Sequence, residues 1–251
     1  MTDSVERFSN RVENYIKYRP DYPREIIGFL AEHCGLTNES VVADVGCGPG
    51  ISSKMFLENG NRVIGVEPNE AMRAAAESVL AGFANFAAVN GTSDKSTLPD
   101  ASVDLVVAAQ AFHWFDAEKT RPEFERILRP GGWIVLIWNE RQLDTTPFLV
   151  DYEQLLLQYA TDYSKVRHEN VDQLKLDDFF QKEYGSASFG NLQIFDFEGL
   201  KGRMLSSSYM PAETDAIAKT MLYELRALFA KHNENDKISV FYDTRIYYAS
   251  V

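Results

Sequence analysis

Between Val41 and Trp138 the chain alternates short apolar runs with helix-like stretches, and few folds accept that order. The runs are Val41–Val45, Arg62–Glu67, Ala84–Val89, Val103–Ala109 and Trp133–Trp138. They are rich in Val, Ile, Phe or Ala, as strands buried on both faces should be. Between them Ile51–Asn59, Glu70–Leu80 and Ala117–Leu128 carry helical spacing. Strand alternating with helix predicts an α/β fold: βαβ units with right-handed crossovers, and a parallel sheet with helices on both faces.

The flanks differ from this core. Phe8, Val12, Tyr15 and Ile16 share one helical face; Ile26, Ile27, Leu30 and Cys34 share another, with Pro23 at its first turn. Further on, Phe148–Tyr163 reads as a helix, Ser164–Ser186 is polar without a clean period, and Leu192–Phe197 alternates like a strand. Gly199–Ser207 is a short helix candidate, and Ile217, Met221, Leu225, Leu228 and Phe229 form a helical stripe. Ile238–Tyr248 is a long aromatic β run, which predicts that the C-terminus returns to the sheet.

At 251 residues the chain lies between one domain and two, taking about 150 residues per domain. Its 45% hydrophobic and 25% charged content excludes a disordered or disulfide-stapled chain. Thirty-seven acids against 25 bases give a formal charge of −12, spread along the chain, which argues against a nucleic-acid partner. Cys34 and Cys47 form no CxxC pair, Met1–Arg11 has no apolar signal core, and no run is apolar enough to span a membrane. The expectation is a cytoplasmic protein with reduced thiols and no membrane partner. The apolar stripes fit one buried core and leave the oligomeric state open.

The segment Val41–Gly50, VVADVGCGPG, carries the most chemistry. A strand runs into Asp44, then into Gly46, Gly48 and Gly50, and a helix follows. Three glycines in five residues let the backbone turn sharply and let a ligand approach the main chain. The helix N-terminus beyond offers unpaired N–H groups. Seventeen residues after Gly50, Glu67 ends the strand RVIGVE, where a carboxylate can accept both hydroxyls of a ribose. Together these describe an adenosine site at the C-terminal edge of a parallel sheet. A tight turn without ligand is the plainer alternative, but acid, glycines and Glu67 all hold their places together. A dinucleotide fingerprint needs a third small residue where Ile51 stands, and Pro49 sits inside the turn. The pattern is D-x-G-x-G-x-G.

In these residues the chain resembles the class I S-adenosylmethionine-dependent methyltransferases, of the methyltransferase type 11 group that includes trans-aconitate methyltransferase-like proteins. The resemblance runs from Tyr15 to about Trp138 and, more loosely, to the terminal YDTRIYY. It implies a Rossmann-like fold with a seven-stranded, mostly parallel sheet, the last strand antiparallel, and a helical cap. It implies one domain: residues 1–40 as lid, 41–138 as cofactor-binding core, 139–235 as cap and acceptor side, and 236–251 as the final strand. S-adenosylmethionine is the implied cofactor. Gly46, Gly48 and Gly50 would approach its methionine and ribose parts, Asp44 its amino-acid end, and Glu67 its ribose. Pro68 and Asn69 would flank the adenine, with Thr92 and Ser93 at the adenine edge. Gln110 and Ala111 would face the methionine moiety, with Phe112, His113 and Trp114 bordering the methyl group. Tyr15 and Arg19 would lie over the cofactor, Arg19 suited to its carboxylate.

The sulfonium of such a cofactor is already activated, so holding a nucleophile in line does most of the work. A base is needed only for a neutral hydroxyl, amine or carbon acid, whereas an ionised carboxylate needs none. His113 is the candidate catalytic base, with simple aromatic packing as the alternative. No metal is expected, because Gln110 ends the fourth strand and Asp116 lies beyond an aromatic cluster. The acceptor is expected to be a small molecule, methylated on a carboxylate or hydroxyl oxygen. His113, Trp114, Trp138, Arg141, Arg203 and Tyr209 are its candidate contacts. The arginines would favour an anionic acceptor, unless they are ordinary solvated surface residues. Two rival functions share this sheet: an NAD-type oxidoreductase, and a cofactor-binding module without turnover.

Overall fold

The computed structural model describes residues 12–161 and 173–251. Phe8 and residues 164–172 of the polar, aperiodic stretch Ser164–Ser186 lie outside them. The strands are β1 (Val41–Val45), β2 (Arg62–Val66), β3 (Phe86–Val89), β4 (Val103–Ala109), β5 (Leu128–Arg141), β6 (Gly185–Phe195) and β7 (Ile238–Ser250). They form one sheet in the order β3-β2-β1-β4-β5-β7-β6. β7 runs antiparallel to both its neighbours, and the other pairings are parallel. Chain order reverses between β1 and β4, and at such a switch point the C-terminal ends of the strands diverge into a crevice.

The helices are α1 (Val12–Tyr18), α2 (Glu25–Cys34), α3 (Ile51–Glu58), α4 (Glu70–Val79), α5 (Ala117–Ile127), α6 (Pro147–Tyr159), α7 (Gln173–Phe180), α8 (Phe197–Leu205) and α9 (Ala218–His232). Alternate residues of the central strands bury against opposite layers. Val107, Ala109, Val135 and Ile137 meet α2 and α3 through Ile26, Leu30 and Phe56. Val106, Ala108, Leu136 and Trp138 meet α5 and α7 through Phe124, Phe179 and Phe180. A third apolar cluster joins α6, α8 and α9 to the first half of β7. Among the described residues no helix is long and apolar enough to cross a membrane.

Two features of the sheet depart from the sequence expectation. β5 extends well beyond Trp133–Trp138, because Leu128 pairs with Val103 before a register shift and the far end pairs with β7 to Arg141. β6 lies within the stretch expected to form the cap, yet it is the edge strand of the sheet.

The N-terminal segment is latched over the strand ends. Tyr18 lies on α8 so closely that a Cβ on Gly202 would come within 2.0 Å of its ring. The Tyr18 carbonyl accepts from Gln193 Nε2 at 3.1 Å, and the Asp21 carbonyl accepts from Asn191 Nδ2 at 2.7 Å and Asn139 Nδ2 at 3.3 Å. Arg19 donates to the Ser206 carbonyl at 3.1 Å.

Candidate active site

The crevice at the switch point holds two adjoining chambers that share Tyr15, Gly46, Gly48 and Gln110. One chamber reaches Glu67, Pro68, Asn69, Met72, Ala111, Trp114 and Phe115. The other runs beneath the lid, past Arg19, Tyr22, Cys47 and Ser52, to Arg141, Arg203 and Tyr209.

The glycine turn shapes the floor. Gly46 adopts a φ of +73°, and a Cβ there would stand 2.7 Å from the Ala111 Cβ. Gly48 has a φ of +55°, yet a Cβ on it would meet nothing within 4 Å, so that position faces the open crevice. Gly50 differs. Its φ is +89°, it lines neither chamber, and its Cβ would strike Leu80 Cδ1 at 2.5 Å. Its Cβ position is turned to helix packing rather than to either chamber.

Asp44 is fully buried at the end of β1. Its Oδ2 accepts from Ser52 Oγ at 2.7 Å and Ser53 Oγ at 2.6 Å, while Oδ1 is buried with no hydrogen-bond partner. Burial pushes its carboxyl pKa up, against the lowering effect of the two serines. The serines were missed in the sequence; two hydroxyls in the first turn after a glycine loop were the available signal. Glu67 is also buried. Its Oε2 accepts from the Gly48 N–H at 3.0 Å and its Oε1 from the Asn69 N–H at 2.8 Å, which locks the glycine turn to the tip of β2. Burial raises its pKa, and those backbone bonds oppose the rise. Asn69 caps α4 through Met72 N.

Gln110 holds a φ of +56° at the tip of β4, a backbone conformation costly for a residue with a side chain. Its Nε2 donates to the Asn139 carbonyl at 3.0 Å, while Oε1 is buried without a partner. Arg19 Nε is likewise buried and unpartnered, with the guanidinium 4.8 Å over the Tyr15 ring. Arg141 and Arg203 are not solvated surface residues. Arg141 forms a buried ion pair with Glu153, and Arg203 donates to Tyr242 Oη and Ser207 Oγ, each at 3.2 Å.

Four other expected contacts lie elsewhere than the chamber expected for them. His113 lines neither chamber; it borders a separate groove with α5 and α7, near Lys175. In the tight turn Phe112–Trp114 successive side chains diverge by about 120°, so Trp114 reaches the Glu67 chamber rather than the arginine end. Trp138 is 1% exposed and stacks edge-on with Phe112 and Tyr247 in the core, because it shares its strand face with Leu136. Thr92 closes a small loop with Lys95, and Ser93 Oγ accepts from Thr120 at 2.9 Å under α5, so neither lines the crevice.

Residues 43–136 match the model of a family described as a methyltransferase domain. That match covers less than half of the chain, which over those residues is similar to the family. Among its relatives, the uncharacterized methyltransferase Rv3342 of Mycobacterium tuberculosis is 37% identical over 134 residues, 53% of this chain and 52% of that protein. The uncharacterized methyltransferase-like C25B8.10 of Schizosaccharomyces pombe is 30% identical over 159 residues, 63% and 60% of the two chains. The match thus spans about half the length of the first of these relatives. A structure from Anaeromyxobacter dehalogenans assigned as a type II methyltransferase superposes with a TM-score of 0.70 at 22% identity, covering 93% of this chain and 98% of that one. The YcgJ protein of Bacillus subtilis does so at 0.58 and 22%, covering 91% and 98%. The fold is therefore the Rossmann-like fold that these structures share.

Proposed function

We propose that the chain transfers the methyl group of S-adenosylmethionine to the carboxylate of a small acid. The carrying observation is the meeting of an open Gly48 and Glu67 at one switch-point crevice, with the half-satisfied Asp44 buried directly behind Ser52, which lines it. Asp44 Oδ1 is suited to the ammonium of the cofactor's amino-acid end, directly or through water, and Arg19 Nε to its carboxylate. Gly48 leaves room for the ligand against the main chain. The remaining lone pairs of Glu67 suit the ribose hydroxyls, with Pro68 and Asn69 beside the adenine. The cofactor supplies an activated methyl group, so the protein has to bind, orient and exclude water.

The arginine end supports an acid as acceptor, in keeping with the trans-aconitate methyltransferase-like subgroup. Arg203 lines that chamber and forms no ion pair with any described carboxylate. Burial holds the Tyr22 phenol and the Cys47 thiol well above their usual pKa, and Glu140 is paired with Arg245 at 2.9 Å. An ionised carboxylate fits a chamber whose described lining offers no ready base, because it is already a nucleophile. Incubation with S-adenosylmethionine and a panel of small carboxylic acids should give methyl esters and S-adenosylhomocysteine. Arg203→Gln should lower kcat/KM about 30-fold, the loss of a charge-assisted hydrogen bond of about 2 kcal/mol. Turnover of neutral alcohols, unaffected by Arg203→Gln, would refute the acid reading.

His113 has no part in this reaction. Burial first, then Lys175 and Arg19, pushes its pKa down to about 4, so the ring is neutral from pH 6 to 8. The pH profile of kcat/KM should show no histidine step in that range, and His113→Gln should change it less than about threefold. A step near pH 6.5 that vanishes in His113→Gln would restore the base role.

A further inference from the structure

Of the arginines that line the acceptor chamber, Arg141 is held by a carboxylate, and that pair lies in an apolar setting. Arg141, at the end of β5, turns its guanidinium over the Tyr152 ring at 5.2 Å and binds Glu153 through Nη2. Both side chains are about one-tenth exposed. Glu153 sits on α6 among Phe148, Leu149, Tyr152, Leu155 and Leu156, all buried. A carboxylate on so apolar a helix face loses its hydration, and a well-packed apolar residue commonly holds such a position as well or better. Next to Arg141, Glu140 is neutralised by Arg245. Among the described residues this leaves two lining cations, Arg19 and Arg203, without a carboxylate.

We propose that Glu153 sets the charge of the acceptor. By occupying Arg141 it leaves one guanidinium, that of Arg203, for the incoming acid, since Arg19 serves the cofactor. The site then takes a monocarboxylate and disfavours a dicarboxylate of the same skeleton, whose second charge would meet an arginine already paired. This proposal rests on the carboxylate reading above. Glu153 is a specificity-determining residue that acts through Arg141.

The test uses the full chain with S-adenosylmethionine and matched straight-chain acids, butanoate to octanoate against succinate to suberate. The wild type should favour the monoacids in kcat/KM by about tenfold or more. Glu153→Gln removes the carboxylate that Nη2 of Arg141 binds and should move the ratio toward the diacids by about tenfold, the effect of one added charge-assisted contact. The double variant Arg141→Gln, Glu153→Gln removes both charges and should return the ratio to that of the wild type. A purely structural ion pair would alter stability and leave the ratio fixed in all three proteins. A wild-type preference for diacids overturns the proposal, and so does an unchanged ratio in Glu153→Gln. Should Glu153→Gln fail to fold, the wild-type preference decides alone. Failure to methylate any acid by a protein that binds S-adenosylhomocysteine would instead overturn the carboxylate reading, and this inference with it.

Discussion

Asp44→Asn should weaken S-adenosylhomocysteine binding about 30-fold or more without lowering the thermal stability of the free protein. The carboxylate is fully buried, and one oxygen is satisfied by Ser52 and Ser53 while the other has no partner. An asparagine oxygen can accept the same two serine bonds. What it lacks is the charge for a ligand ammonium, a contact of about 2 kcal/mol. The stability side follows from the raised pKa of Asp44. A carboxyl whose folded pKa exceeds its unfolded value opposes folding when ionised, so at pH 7 it costs stability. That cost fades as pH falls through the raised folded value toward 3.8, and in the asparagine variant it is absent at every pH. Calorimetric titration and melting curves at several pH values check both halves. Loss of stability with unchanged affinity would make Asp44 a structural residue only.

The second large effect separates two glycines that look alike in sequence. Gly48→Ala should reduce cofactor affinity about 100-fold, because its Cβ enters the open crevice where the ligand would lie, with a steric cost of about 3 kcal/mol. Its left-handed backbone adds about 1 kcal/mol of instability, a Tm shift of about 2–4 °C for a chain of this size. Gly50→Ala should do the reverse. Its Cβ would collide with Leu80, a buried residue, so stability falls by about 2–4 kcal/mol while the folded fraction binds as before. Equal effects of the two substitutions on affinity would refute this division.

The fold was legible where local pattern and long-range pairing agree. β1 and β4 have the limits that the apolar runs predict, since buried parallel strands are bounded by their own turns. β6 was half visible. Leu192–Phe195 alternates, but Gly185–Asn191 is mostly small and polar, and only its ladder with β7 makes it a strand. The start of β5 was hidden by Pro130 and Gly131, which read as a turn. In the site, the residues fixed by local backbone geometry were legible: Asp44, the glycine turn and Glu67 come together at the switch point. Residues whose surroundings depend on distant segments were not. The ion pair of Arg141 needs α6, and the place of Arg203 needs Tyr242 on β7. Trp138 could have been placed by strand alternation alone, since it shares a face with Ile134 and Leu136.

The central claim is that the crevice between β1 and β4 holds the adenosine and amino-acid ends of S-adenosylmethionine. Its most direct test is calorimetric titration of the purified chain with S-adenosylhomocysteine and, separately, with NAD. The account predicts one saturable site for S-adenosylhomocysteine and no heat of binding for NAD; binding of NAD without binding of S-adenosylhomocysteine would contradict it.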